Sequence, residues 1–546
     1  MGRKEKERNA APAPPPGKFP AWLLPVLLCL GLGFRLAIFF TTFSSSGFLS
    51  GPLTDASFYS LRVAQNLAAG AGFTFDRIHQ TNGFQPLYVF LMVPAYALFP
   101  HDPITPVKAA EIFLLLCNTA AGFFVYRILR REIGPRAAVF ALALFACSPY
   151  IIDTGMNGLE TSLELLLFLA AFDLYLARVR PGADARGHRL GLAALLALLV
   201  FARVDGALLA AAIAADYLFR RDPLPFRARI QKMAGIAAVA LALYSPWLIY
   251  SRVHFGAALP RSGDAVRLMS QLYGEMELPI PVRSFIPGDI PAAFYAGHLI
   301  QALMVLGLAG LFFPAGPAVL LLQLGGQASG VWAIGSWFVC IPVLLAGCVW
   351  AFRARRTLGA VWWAAGLMVA AYSFYAFGAW FFFRYLYVAE VCMLLAGAAL
   401  FERLAKGRRW LAWATAAAFL IVIVNGFVLR SQPNDFQLFN YDLIKRALDA
   451  KAPAGARAGT FQTGYVGYFS PDREVMNLDG VVNPKAYAAL REGGIYPYLK
   501  SERIEYVADF GNIVDRLLVP RLGANPAAVL EPLSSPEDPV QVFRVR

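Results

Sequence analysis

Charge is scarce in this chain. Of its 546 residues only 15% are Asp, Glu, Lys or Arg, against 58% hydrophobic, and the mean hydropathy is +0.54. A soluble protein of this length does not need so much apolar side chain for its core, so the surplus must face lipid. Cysteine is scarcer still. The six residues (Cys29, Cys117, Cys147, Cys340, Cys348 and Cys392) all lie in apolar runs without metal-ligand spacing, which excludes a disulfide framework and a zinc-finger site. The loops expected on the cytoplasmic side carry no Gly-rich phosphate loop and are too short for a nucleotide-binding domain. An activated cytoplasmic nucleotide is therefore not the expected substrate.

What the chain has is a succession of apolar runs from Pro20 to Val428, each near the roughly 20 residues a bilayer span needs. The formal charge of +14 does not point to nucleic acid. Much of the basic excess sits in short clusters beside the apolar runs: Arg3–Lys18, Arg127–Arg136, Arg178–Arg189, Arg220–Lys232, Arg353–Arg356 and Arg403–Arg409. This is the positive-inside pattern, and it places those clusters on the cytoplasmic face.

The topology follows from that placement. Residues 1–19, basic and then Pro/Ala-rich, read as a disordered cytoplasmic tail. The run from 20 to 43 reads as a retained first span, and residues 44–85 as an outer loop. The short run 86–99 opens on Pro86 and reads as interfacial or re-entrant. Spans are expected near 109–128, 136–152 and 160–179. Residues 190–219 are basic at both flanks, so both ends belong inside; the predicted solution is a hairpin of short helices turning outside at Phe201-Ala-Arg-Val-Asp-Gly206. A span at 230–252, an outer loop at 253–295 and spans at 331–351, 358–378, 385–401 and 410–429 complete the module 20–430, with a further hairpin at 296–325. The expected fold is a polytopic α-helical membrane protein of about 11–13 spans, followed at 431–546 by a small extracytoplasmic α/β domain. No internal repeat marks an inverted-repeat transporter.

Ionisable residues at a membrane boundary are costly and invite a functional reading. Asp55 precedes an amphipathic stretch, Ser57–Leu67, expected to lie in the interface, with Phe58, Leu61 and Leu67 on one side and Arg62, Gln65 and Asn66 on the other. It reads either as the N-cap of that helix or as a general base whose pKa desolvation raises. Glu160, with Glu164 one turn deeper, is a helix-start acid or a functional carboxylate; Glu164 is equally a candidate partner for Arg35. Arg203 and Asp205 are a mutual ion pair or part of a site. Arg384 is an aromatic-belt anchor or a site cation. His79, Asn82 and Gln85, in HQTNGFQP, are candidates for lining the same crevice, with a turn role open for Asn82-Gly83.

The order of TDASFYSLRVAQNLAAGAGFTF, TNGFQPLY, GMNGLET, ARVDG and FRYLY resembles bacterial members of the GT-C superfamily of membrane glycosyltransferases over roughly residues 20–430. The layout is similar to protein O-mannosyltransferases, the lipid A aminoarabinose transferase and mycobacterial arabinofuranosyltransferases. The C-terminal stretch GYFSPDREVMNLDGVVN resembles the tails of family members. The resemblance implies inverting transfer from a polyprenyl-phosphate sugar to a glycan, lipid or protein acceptor on the outer face of the bacterial cytoplasmic membrane. It assigns Asp55 the catalytic acid position, Glu160 a second acid near the donor phosphate or a metal, and Arg203 and Arg384 contacts to the phosphate. Arg62, His79, Asn82, Gln85, Asp205 and Tyr385 are expected around the pocket. A divalent ion, Mg or Mn, is part of the family picture, but Asp55 is followed by Ala56 where many relatives have paired acids, which leaves few oxygen ligands. Donor lipid, acceptor and membrane are the expected partners. The rival readings are a transporter or flippase of a lipid-linked or anionic solute, and a non-catalytic membrane scaffold.

Overall fold

The computed structural model describes residues 20, 22–44, 51–182, 185–220, 224–272, 358–375, 382–405 and 438–546. The expected tail 1–19, the hairpin 296–325, the spans 331–351 and 410–429, and most of the loop 253–295 lie outside them.

Helix α1 is Leu23–Thr42, α4 is Thr105–Glu132 and α10 is Phe226–Phe255; each is long and apolar enough to cross a membrane. Trp22, Val26, Leu30 and Phe40 about α1, and Leu241, Leu243, Ile249 and Val253 on α10, are exposed, which is where the apolar surplus of the composition goes. Helices α5 (Pro135–Cys147) and α6 (Pro149–Gly155) together match the expected span 136–152 but bend by 62° at Ser148. Pro149 accounts for the break, since proline disfavours helical backbone in the residue before it. Helix α7 (Thr161–Leu174) is extended by a π-turn, Tyr175–Val179.

The double-basic stretch is a hairpin, α8 (Arg186–Ala202) and α9 (Gly206–Phe219), turning at Arg203–Asp205. A Cβ on Gly206 would lie 2.6 Å from the Leu199 carbonyl oxygen, so the tight turn needs glycine. With the helices Gly359–Tyr375 and Tyr387–Ala405, these elements enclose one apolar core running from Ala121 through Phe168 and Leu209 to Leu395. The chain is a polytopic helical membrane protein.

Two shorter helices sit beside this bundle. Helix α2 is Asp55–Ala68 and α3 is Pro86–Leu98. The C-terminal segment opens with the helix Leu438–Lys451 and builds a five-stranded mixed sheet, β1 (Ala458–Thr460), β2 (Val475–Asn477), β3 (Tyr506–Phe510), β4 (Leu530–Pro532) and β5 (Val540–Val545), in the order β2-β1-β3-β5-β4. The central β2-β1-β3 pairs are parallel; β3-β5 and β5-β4 are antiparallel. One face packs on its own small core around Met476, Leu490 and Leu517, and the other joins a core shared with α2, α3 and α4.

That shared core corrects the reading of α2 as an interfacial helix. Both of its sides are buried, Arg62 and Asn66 together with Phe58 and Leu61. Phe58 packs edge-on or tilted against Tyr465, Tyr468 and Phe469 of the C-terminal segment. The amphipathic pattern has the right helix but the wrong surroundings: protein, not solvent, covers its polar side.

Candidate active site

The candidate residues fall into two buried groups. The first lies where α7, α8 and α9 meet. Arg203 ends α8 with extended backbone, which turns its side chain back towards the start of α7. Its Nη1 lies 3.6 Å from Glu160 Oε1, its Nε 3.1 Å from Glu164 Oε2 and its Nη2 2.7 Å from Asp205 Oδ2. Nη2 also donates to the Tyr372 hydroxyl at 3.2 Å, and that hydroxyl donates to Asp205. Tyr385 stacks on Tyr372 with ring centroids 4.8 Å apart and carries two cations over its ring, Arg203 at 5.6 Å and Arg384 at 4.8 Å. Arg384 also acts electrostatically on Glu160. The structure thus brings Glu160, Arg203, Asp205, Arg384 and Tyr385 together from three segments, and adds Glu164 and, from a fourth, Tyr372. Arg203 is bridged by three carboxylates, but its Nη1 has no hydrogen bond, nor do Glu160 Oε2 and Glu164 Oε1 among the described residues. Arg35 is not the partner of Glu164; it binds Asn118 Oδ1 and the carbonyls of Gly31, Phe145 and Ala146.

Asp55 belongs to the second group. It is the first residue of α2, whose N-cap position is Thr54, so it does not cap its own helix. It reaches instead to the helix Thr463–Tyr468, accepting from Tyr465 N at 2.6 Å and Gly464 N at 3.2 Å. Two carboxylates of the C-terminal segment accompany it, Asp479 just after β2 and Asp509 on β3. Asp479 accepts from the Tyr59 hydroxyl at 3.1 Å, and Asp509 accepts from Thr460 Oγ1 and from the main-chain N–H groups of Phe461 and Gln462. Burial pushes Asp55 up to about 7, against its two backbone donors and with the charges of Asp479 and Asp509. Burial likewise lifts Asp479 and Asp509 to about 6. A carboxyl near 7 is suited to taking a proton at neutral pH. Asp479 and Asp509 were not among the candidates: no spacing links residues some 400 positions from Asp55, although Asp479 stands in the NLDG motif.

The remaining candidates tie the loop between α2 and α3 to its neighbours. His79 bridges Asp76 (2.7 Å) and Glu502 (3.1 Å); burial pulls its imidazole down, but those carboxylates hold it above its ordinary value. Asn82 donates to Ser251 Oγ and to the carbonyls of Ala257 and Leu259, and accepts from Arg261 N, clamping the end of α10. A Cβ on Gly83 would lie 1.9 Å from the Val481 oxygen, so this glycine is fixed by close packing. Gln85 holds the N-cap position of α3. Arg62 lines a separate cavity.

A divalent ion does not fit these groups. Among the described residues no three His, Cys, Asp or Glu side chains are grouped to hold one. Glu160 and Glu164 already face the Arg203 guanidinium, and Asp55 spends an oxygen on each of two main-chain donors.

Fold and site together define a membrane-embedded bundle with a buried carboxylate-arginine cluster, joined to a small sheet domain. A model of the dolichyl-phosphate-mannose-protein mannosyltransferase family matches residues 86–250, and a model of a domain of unknown function matches residues 433–535. No curated protein matches the chain. The chain is similar to the solved apo structure of ArnT from Cupriavidus metallidurans, at 12% identity and a TM-score of 0.53, over 95% of this chain and 98% of that one. It is also similar to the apo oligosaccharyltransferase of Archaeoglobus fulgidus (14% identity, TM-score 0.48, 93% of this chain and 72% of that one). The arabinofuranosyltransferase AftD from Mycobacteria aligns at 15% identity and a TM-score of 0.44, over 97% of this chain and 40% of that one. At such identities what is shared is the fold. That fold is the one seen in ArnT.

Proposed function

We propose that the chain is an inverting glycosyltransferase that moves a sugar from a polyprenyl-phosphate donor to a glycan, lipid or protein acceptor at the outer face of the cytoplasmic membrane. The observation that carries this reading is the convergence of Glu160, Arg203, Asp205, Arg384 and Tyr385, from three separate segments, on one buried cluster. ArnT of Cupriavidus metallidurans has been solved bound to undecaprenyl phosphate, a ligand of the class this cluster would receive.

In this proposal the acceptor hydroxyl attacks the anomeric carbon as the bond to the phosphate oxygen breaks, and Asp55 takes the hydroxyl proton. Charge develops on the departing phosphate, where a preformed donor is worth most. Arg384 and the unsatisfied Nη1 of Arg203 meet that charge, while Glu160, Glu164 and Asp205 hold the Arg203 guanidinium in place.

The test is binding and turnover of a polyprenyl-phosphate sugar by the purified protein in lipid nanodiscs. Arg384→Gln is expected to weaken polyprenyl-phosphate binding by about tenfold, the scale of one lost charge-assisted contact, and Asp55→Asn to abolish transfer while leaving that binding intact. Transfer that survives Asp55→Asn combined with Glu160→Gln would remove the catalytic assignment. Donor translocation without sugar transfer would favour a flippase.

A further inference from the structure

Away from the Glu160 cluster, the loop after α2 and the C-terminal segment enclose a cavity of about 400 Å³. Four arginines line it: Arg62 from α2, Arg77 from the loop, and Arg457 and Arg473 from just before β1 and β2 respectively. Three carboxylates line it too, and each is engaged. Asp76 holds His79 at 2.7 Å, Glu474 holds Arg457 at 2.6 Å, and Asp472 lies 3.4 Å from Arg473. Arg62 and Arg77 are left over. Their hydrogen bonds run to neutral amides, Arg62 to Gln65 Oε1 at 2.7 Å and Arg77 to Asn66 Oδ1 at 3.4 Å, and neither has an ion pair among the described residues. Arg62 is 5% exposed and its Nε has no hydrogen-bond partner there.

Leaving a buried guanidinium without a carboxylate, beside a second guanidinium, is unfavourable unless something anionic completes the site. The wall is also built with care. Arg77 adopts φ 64°, a conformation rare outside glycine and asparagine, and is held there because Asp76 Oδ1 accepts from both Ile78 N and His79 N. Gly467, on the opposite wall, has no room for a Cβ, which would meet Phe75 at 2.7 Å.

We propose that this cavity binds the phosphate or carboxylate group of an anionic sugar, anchoring the acceptor. The acceptor role rests on the transferase reading above; the anion site itself does not. Arg62 is seven residues from Asp55 on α2, so the two lie on nearly the same face about 10 Å apart along the axis. An acceptor held by its charge in the cavity would thus extend towards Asp55.

The experiment uses the full-length protein in nanodiscs of zwitterionic lipid, without donor, in both the wild-type and Asp55→Asn backgrounds. Calorimetric titrations with glucose 6-phosphate, glucuronate, inorganic phosphate and neutral glucose read the site directly. The charged sugars are expected to bind saturably in both backgrounds, glucose not at all, and Arg77→Asn to weaken binding about tenfold. Asn suits the left-handed backbone at the exposed position 77, so folding is kept, and an unchanged melting temperature checks this. Arg457→Gln is the second variant, with the same expectation. Competition by phosphatidylglycerol added to the nanodisc would identify a lipid headgroup as the source of the anion; its absence, with binding retained, would identify a water-exposed glycan. Binding unaffected by both variants, absent from the wild type, or equal for glucose overturns the proposal. Because no turnover is read, loss of transfer in Asp55→Asn leaves this result independent.

Discussion

Asp55 carries the sharpest consequence at the scale of single residues, because its ionisation is coupled to folding. Unfolded, its carboxyl titrates near the ordinary 3.8; folded, burial lifts it to about 7. The folded state therefore binds more protons between those values. Its contribution to stability is fully present below the unfolded pKa and is lost as pH rises through the folded one. Three units correspond to at most about 4 kcal/mol. The apparent melting temperature of the purified protein should accordingly fall between about pH 4 and about pH 7, and less steeply in Asp55→Asn. Equal slopes would mean that Asp55 is not the group lifted. Transfer, which in the proposed mechanism needs the deprotonated form, should rise as pH passes through about 7. A stability that falls as pH approaches about 7 while the rate climbs through that value separates a buried base from a carboxyl that only holds two main-chain N–H groups.

Among the elements, the contact of α2 with the helix Thr463–Tyr468 decides where Asp55 sits. It depends on Gly464, whose added Cβ would stand 2.0 Å from the Asp55 carbonyl oxygen. Backbone cannot yield as a flexible side chain can. Gly464→Ala should therefore destabilise the protein by about 1–3 kcal/mol, read as a lowered melting temperature together with a shifted pH slope, because it displaces the donors to Asp55. Gly33→Ala is the control. That glycine lies inside α1 with nothing near its Cβ position, and alanine there should be neutral or stabilising by up to about 1 kcal/mol. The two elements also differ in how far the sequence reveals them. The α8–α9 hairpin is legible because basic flanks at both ends force a turn, and Arg203 and Asp205 mark it. The environment of α2 is not, because its Phe58 packs against Tyr465, Tyr468 and Phe469, some 400 residues away, and no periodicity within α2 reports a partner.

For the whole molecule, composition divides the chain near residue 431. It does not follow that the two parts have separate cores. Leu438, Ile444, Val466, Val482 and Val542 share a cluster with Phe58, Leu61, Tyr88 and Leu114. His79 is bonded to Glu502, Tyr96 to Tyr468, and Asp55 to Gly464 and Tyr465 across the same seam. A composition shift reads which solvent a segment's outer surface meets, whereas a shared core depends on surfaces that meet nothing but each other. The charged cluster around Arg203 was legible for the converse reason, since ionisable residues in apolar runs stand out wherever they lie. Removing residues 438–546 should therefore not leave a well-behaved membrane module. It would expose the apolar side of α2 and α3 as a contiguous patch of the kind that drives aggregation, and strip Asp55 of both its donors. The expected result is loss of the monodisperse peak in detergent size-exclusion chromatography and rapid proteolysis within residues 51–98, with the polyprenyl-phosphate binding proposed for the Arg384 cluster affected less than either. A truncated protein that ran as a sharp peak and resisted protease between α2 and α3 would show the seam to be a docking contact between independent domains, and the buried state of Asp55 would then depend on that docking.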